Sequence, residues 1–185
     1  MTNVAPYKSA ELEVSEWLNT STPIRLDELQ GKVVVIEAFQ MLCPGCILHG
    51  MPIAAKLHDL FKEDGSVVVL GLHSVFEHHD AMRRESLKAF LHEFRYTFPV
   101  GIDAYKDGQT IPQTMQAYKL RGTPSLILID KRGFVREILF GNIDEIALGG
   151  EHWEAGSGVA GQQTCVEHWG KRKSRSIPSF CWQSA

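Results

Sequence analysis

Apolar positions in this chain fall into two kinds of run. Short unbroken runs rich in β-branched residues read as strands buried on both faces, and longer stretches with an apolar residue every three or four positions read as helices lying over them. Val33 to Phe39 is the first run of the strand kind, set off by Gly31. Ser66 to Leu72 is the second and Ser125 to Asp130 the third. The stretch from Pro44 to about Lys62 reads as a helix. Proline suits its first position, where the missing N–H would be unpaired anyway. Pro52, further in, predicts a kink. A helix is expected over 80–96, with Asp80 as N-cap; Leu87, Phe90, Leu91 and Phe94 recur at i, i+3, i+4 and i+7 as one stripe. Phe98 to Ile102 reads as a short strand, and Pro99 suggests a sheet edge. Pro112 to Leu120 reads as a short helix. Lys131-Arg132-Gly133 is a turn that folds Phe134 to Phe140 back as a hairpin. Ile143 to Leu148 begins a helix that stops at Gly149-Gly150.

This succession predicts an α/β fold, a central mixed β-sheet flanked by helices. Residues 1–31 are a lead-in segment, where Trp17, Leu18, Ile24, Leu26 and Leu29 predict short elements covering one side of the core. The folded domain is expected to span residues 1–150. Residues 151–185 are glycine-rich, lack apolar periodicity and carry the basic run Lys171-Arg172-Lys173-Ser174-Arg175, so they read as a tail that need not be ordered.

Charge and length narrow the function classes. A net charge of -3 provides no global basic field for nucleic acid or an anionic membrane. No apolar run reaches the roughly 18 residues of a membrane span. Met1 to Lys8 lacks the basic-then-apolar build of a secretory signal, so the expected location is cytoplasmic, or periplasmic if a signal has been removed.

The chemistry lies in the cysteines. Four of them, Cys43, Cys46, Cys165 and Cys181, are too few for a disulfide-built scaffold of 185 residues. Cys43-Pro44-Gly45-Cys46 follows the first buried strand and opens a helix. With two residues between them, one helical turn brings the sulfurs close enough to bond and separate repeatedly. A thiol at a helix N-terminus faces unpaired N–H groups and the positive end of the helix dipole, which favour thiolate, the nucleophile of disulfide exchange. A zinc site normally needs four ligands, and no second ligand pair with regular spacing is evident, so no metal is expected. Cys165-x-x-His168 is at most a weak half-site, and Glu77-His78-His79-Asp80 reads as a polar loop. His73 ends a strand, near where α/β active sites gather. Glu37 is an acid within an apolar run, where burying a carboxylate is costly.

These pieces resemble the thioredoxin superfamily, and within it the TlpA-like, redoxin-domain thiol-disulfide oxidoreductases. The resemblance rests on Gly31-Lys32-Val33-Val34-Val35, on Cys43-Pro44-Gly45-Cys46, and on Gly122-Thr123-Pro124-Ser125-Leu126-Ile127-Leu128-Ile129-Asp130 followed by Gly133. It implies a thioredoxin-like fold in which Cys43 is the attacking thiol and Cys46 resolves the mixed disulfide. It implies a cis-proline loop at Thr123-Pro124 that presents backbone to an extended substrate, with Leu42, Pro44 and Gly45 beside it. It also implies that Glu37, six residues before Cys43, moves the proton of the resolving thiol. The chain departs from the pattern at Leu42, where relatives often have Trp, and at His49, where many have Glu. Its helix proline, Pro52, comes one position later than usual.

The expected function is thiol-disulfide exchange with a disulfide-containing protein or small thiol, supplied by an unidentified electron donor. No cofactor is needed, because the dithiol carries the two electrons. A thiol peroxidase of the AhpC/TSA type is an alternative. It would commonly place Thr or Ser three residues before its Cys and Pro four residues earlier, where this chain has Gln40 and Ile36. A non-enzymatic metal-binding module is another, although copper-delivery relatives use CxxxC. Cys165 and Cys181 could form a second redox pair, exchange with Cys46, or be inert.

Overall fold

A computed structural model describes residues 6–141. The fold is thioredoxin-like, a mixed seven-stranded sheet with helices over it. Its strands are β1 (Tyr7–Lys8), β2 (Val14–Leu18), β3 (Val33–Phe39), β4 (Val67–His73), β5 (Val100–Asp103), β6 (Ser125–Ile129) and β7 (Phe134–Phe140), in the order β1-β7-β6-β3-β4-β5-β2. The adjacent strands β3, β4 and β5 run parallel, and every other pairing is antiparallel. All seven residues of β3 are buried, as its unbroken apolar run requires of a strand covered on both faces.

Alternation along β3 sorts its residues to the two faces. Val34, Ile36 and Ala38 join Leu70, Leu72, Ile127 and Ile129 in a core closed by Met115, Tyr118 and Leu120. The opposite face carries Glu37 and Phe39. It lies under α1 (Met51–Phe61), which packs on β3 and β4, and α2 (Arg84–Glu93), whose Phe90 stacks on Phe39 at 6.2 Å. A third helix, α3 (Gln113–Ala117), follows β5.

Several boundaries differ from those the sequence suggests. β5 is not an edge strand. Pro99 lies outside it and offers its carbonyl to the Gly71 N–H, while β2 pairs along the other side. The lead-in segment therefore does more than cover the core: β1 and β2 form the two edges of the sheet. Its Leu26, Ile24, Leu29 and Trp17 still pack on the face of Ile36, and Glu11 caps the short 3-10 turn Leu26–Leu29 by accepting the Leu26 and Asp27 N–H groups at 2.8 Å each. Helix α2 starts at Arg84, with Arg83 as N-cap in place of Asp80, whose carboxylate pairs with Arg83 instead. It stops at Glu93, so Phe94 leaves the apolar stripe and is exposed, stacked on Tyr96.

The helix after the dithiol is interrupted by a π-helical turn over Cys46–Gly50, in which the Met51 N–H bonds the Cys46 carbonyl. Pro52 has no N–H to give and its ring would crowd a carbonyl one turn back, so the wider turn lies immediately before it. The turn lies between Cys46 and Pro52, the stretch that is one residue longer than in the resembled pattern. The expected helix from Ile143, the tail, and Cys165 and Cys181 lie outside the described residues.

Candidate active site

The end of β3 and the start of the following helix place Cys43 partly exposed and Cys46 fully buried. The Cys46 N–H donates to the Cys43 sulfur at 3.3 Å, and the Cys43 thiol donates to the Thr123 carbonyl at 3.4 Å. The outer sulfur therefore has one helical N–H already aimed at it, and a donor of this kind supports charge on sulfur. Burial, and then the Cys43 sulfur beside it, push the Cys46 thiol well above the usual thiol range.

The Thr123–Pro124 peptide is cis. Pro124 is buried against the dithiol turn: a Cβ on Gly45 would come within 3.1 Å of the Pro124 ring. Thr123 is half-buried, and Leu42, Pro44 and Leu48 are exposed around the thiols. The structure thus brings together Cys43, Cys46, Pro44, Gly45, Thr123 and Pro124, with Leu42 at the rim. His49 is half-buried on the π-turn.

Glu37 is fully buried, and neither carboxyl oxygen has a hydrogen-bond partner among the described residues. Burial, and next the charge at Cys43, push its carboxyl well above the ordinary carboxylate range. Asp103 is the instructive contrast. It is just as buried, but it accepts the Ser74 hydroxyl at 2.9 Å and the Thr114 and Met115 N–H groups at 2.9 and 3.1 Å, capping α3. Asp103 holds the fold together, whereas Glu37 lies against the turn that carries Cys46 without bonds of its own. An unpaired buried acid next to a reactive centre is the arrangement expected of a proton carrier.

Two residues of the site escape a reading of the sequence. Gly50 makes room for Glu37: a Cβ there would lie 2.0 Å from Glu37 Oε1 and 3.1 Å from Pro124 Cβ. Gln40 is 1% exposed and bridges two loops, its Nε2 donating to the Thr123 hydroxyl at 3.4 Å and its Oε1 accepting the Phe76 N–H at 3.1 Å. The available signals were a glycine within a predicted helix and a polar residue closing a buried strand. His73 is buried beside Phe39 on the same face, with Nε2 unpartnered, and burial lowers its pKa to about 4. Among the described residues no group of three or more His, Cys, Asp or Glu could hold a metal ion. His79, in the polar loop, packs on Tyr105.

The sequence matches the AhpC/TSA family over residues 5–138. The chain belongs to the AhpC/TSA family. Several proteins similar to it are named thiol-disulfide oxidoreductases or isomerases. A crystal structure of a thioredoxin-like superfamily protein is 58% identical, covers 77% of this chain and 91% of its own, and superposes with a TM-score of 0.73. A thiol-disulfide isomerase from Corynebacterium glutamicum is 52% identical over 76% of this chain and 90% of its own, with a TM-score of 0.72. Among curated proteins, the thiol-disulfide oxidoreductase ResA of Geobacillus kaustophilus is 30% identical, covering 64% of this chain and 60% of that protein. NHL repeat-containing protein 2 of Homo sapiens is 28% identical over 132 residues, which is 70% of this chain but 16% of that protein. The chain therefore spans less than two thirds of these curated relatives. Within the AhpC/TSA family, its domain is of the thiol-disulfide oxidoreductase kind. No helix among the described residues is long and apolar enough to cross a membrane.

Proposed function

We propose that this protein exchanges dithiol for disulfide through Cys43 and Cys46, with Glu37 carrying the proton of the second step. The observation that carries the reading is the pairing of a partly exposed Cys43, its sulfur accepting the Cys46 N–H, with a buried Cys46 behind it. The Cys43 thiolate attacks one sulfur of a substrate disulfide, and the other substrate sulfur leaves as thiolate. Cys46 then gives its proton to Glu37, directly or through one water, and attacks the Cys43 sulfur. The Cys43–Cys46 disulfide forms, the second substrate sulfur leaves, and two electrons have passed to the substrate. A carboxyl whose pKa is raised by burial is better matched to a thiol proton than an ordinary one.

Thr123, the exposed Leu42 and Pro44 and the half-buried Gly45 form the surface for an extended segment around the target disulfide. In a reducing compartment such as the cytoplasm, the domain acts as a reductant; in an oxidising one the same dithiol runs in reverse. Replacing Cys43 by Ser abolishes reduction of a protein disulfide such as that of insulin. Replacing Cys46 by Ser traps a mixed disulfide on Cys43, seen as an adduct mass. Wild-type turnover by the Cys43→Ser protein would overturn the reading. Peroxide reduction is disfavoured, because the residue at the Thr or Ser position is Gln40, whose side chain is already engaged by Thr123 and Phe76.

A further inference from the structure

We propose that Leu48 is a specificity-determining residue. It receives an apolar side chain two positions from the target cysteine, so the domain prefers protein disulfides flanked by aliphatic or aromatic residues to small hydrophilic ones. The inference rests on the proposed exchange at Cys43 and Cys46 and names the class of substrate. The π-helical turn over Cys46–Gly50 inverts the usual order of apolar and polar positions. Cys46 and Gly50 are buried, and His49, the polar residue, is half-buried. Leu48 lies on the outside and is 68% exposed, the most of any large hydrophobic side chain among the described residues. Leu42, next to Cys43, is 57% exposed. Exposed rings elsewhere lie against neighbours: Phe94 stacks on Tyr96, Tyr105 packs on His79, and the Arg121 guanidinium lies 5.2 Å from the centroid of Phe140. A single exposed leucine is ordinary, but two beside a reactive thiol make an apolar patch that a partner covers.

The Ile47 N–H bonds the Cys43 carbonyl at 3.1 Å, so the helix runs from the outer cysteine. Leu48 follows the exposed Pro44 by four residues and stands about one turn beyond it on the same face. It thus continues the surface of Thr123, Leu42, Pro44 and Gly45 assigned above to the substrate. An extended segment laid along that surface turns alternate side chains the same way, about 6.8 Å apart. The side chain two positions from the target cysteine is therefore on the same side as the sulfur that Cys43 attacks, facing the dithiol helix. Leu48 lies five residues beyond Cys43, about 7.5 Å of helical rise, which is a matching step. An apolar side chain there covers Leu48, whereas a carboxylate or hydroxyl would lose water against it without gaining a hydrogen bond.

The test compares substrates that differ only at that position, using the full chain. Oxidised glutathione, which has no apolar side chain, is the reference: reduced protein first forms a glutathione adduct on Cys43, and Cys46 then releases the second glutathione. The probes are symmetric disulfide dimers of a short single-cysteine peptide carrying Leu, Ser or Asp two positions after the cysteine, and a second set with the same residues two positions before it. In each, the Cys43 thiolate takes one peptide sulfur and the other leaves as thiolate. Cys46 then displaces the bound peptide, and the two electrons of the dithiol end on the two peptide thiols. Below saturation, wild type should form the first adduct about tenfold faster with the Leu dimer than with the Ser dimer of one set, the scale of covering one aliphatic side chain. The Asp dimer should be slower still. The preference should lie in the half-saturating concentration and leave the limiting rate unchanged. Leu48→Ser should bring the Leu-to-Ser ratio down to about one, and Leu48→Met should keep it. Leu48 is exposed, so both substitutions leave the core untouched. A ratio of two substrates on one protein cancels any general change in thiol reactivity, so a merely structural role would leave it at the wild-type value. The inference is overturned if wild type shows no preference for Leu in either set, or if Leu48→Ser retains it. Failure of the dithiol reading itself looks different: the wild-type protein would release no second glutathione.

Discussion

Glu37 and His73 are buried on the same face of the sheet, and each has polar atoms without partners among the described residues. They make opposite demands on pH. The carboxyl is raised, so the native state holds a proton that the unfolded chain releases above about pH 4.5. Its contribution to stability is complete below that pH and is lost as pH rises toward the folded value. Glu37→Gln should therefore be more stable than wild type at pH 8, with the gap closing toward pH 4 in urea unfolding. The same variant should slow the release of the second glutathione at pH values where the native Glu37 is ionised, since only the carboxylate can accept the Cys46 proton. His73 is lowered from 6.5 to about 4. Between those values the unfolded chain takes up a proton that the native state refuses, so its share of stability, up to about 3 kcal/mol, is present above pH 6.5 and lost on acidification. His73→Leu should shrink the slope of stability against pH by as much as one bound proton across that window. The closeness of the two cysteines and the burial of Glu37 were legible in the sequence because their signals are local: a spacing, and an acid in an apolar run. Gln40 was not, since its meaning lies in Thr123 and Phe76, which only the folded sheet brings to it.

The strands were legible as elements where burial is complete. β3, β4, β6 and β7 follow from their runs within a residue or two. β5 was misplaced to an edge because its outer neighbour, β2, is Val-Ser-Glu-Trp-Leu, too polar to read as strand beforehand. Asp80 had the composition of a cap, but the nearby Arg83 guanidinium engages its carboxylate, and the helix begins later without a side-chain cap. The π-turn was hidden because its only sign is one residue of excess length before Pro52. Gly50 within it is where a methyl group costs most. Gly50→Ala drives a Cβ into Glu37 and should destabilise the protein by about 1–3 kcal/mol in urea unfolding, as overpacking does. In a Glu37→Ala background the same change should cost clearly less, a coupling that a double-mutant cycle reads directly.

Every strand of the described sheet and each residue of the candidate site lies within residues 6–141, and we propose that this part of the chain carries the activity. A chain stopped after Ile143 should keep its urea midpoint, and its two glutathione steps should stay within about twofold of the full chain; a collapse of either would assign the remaining residues to the domain. The α/β class and the order of the main elements could be read before the structure because strand runs and helical stripes alternate along the whole length. The closing of both edges by the lead-in segment could not, because pairing with β7 and β5 joins residues more than eighty positions apart.

The π-turn also sets the phase of everything downstream. One added residue in a regular α-helix turns all later side chains by about 100°. Here that would swing Met51, Ile53 and Ala54 off the sheet and expose polar positions to it. By widening over Cys46–Gly50, the turn absorbs the rotation locally, and α1 keeps these buried side chains on its inner face. The turn thus works as a phase corrector.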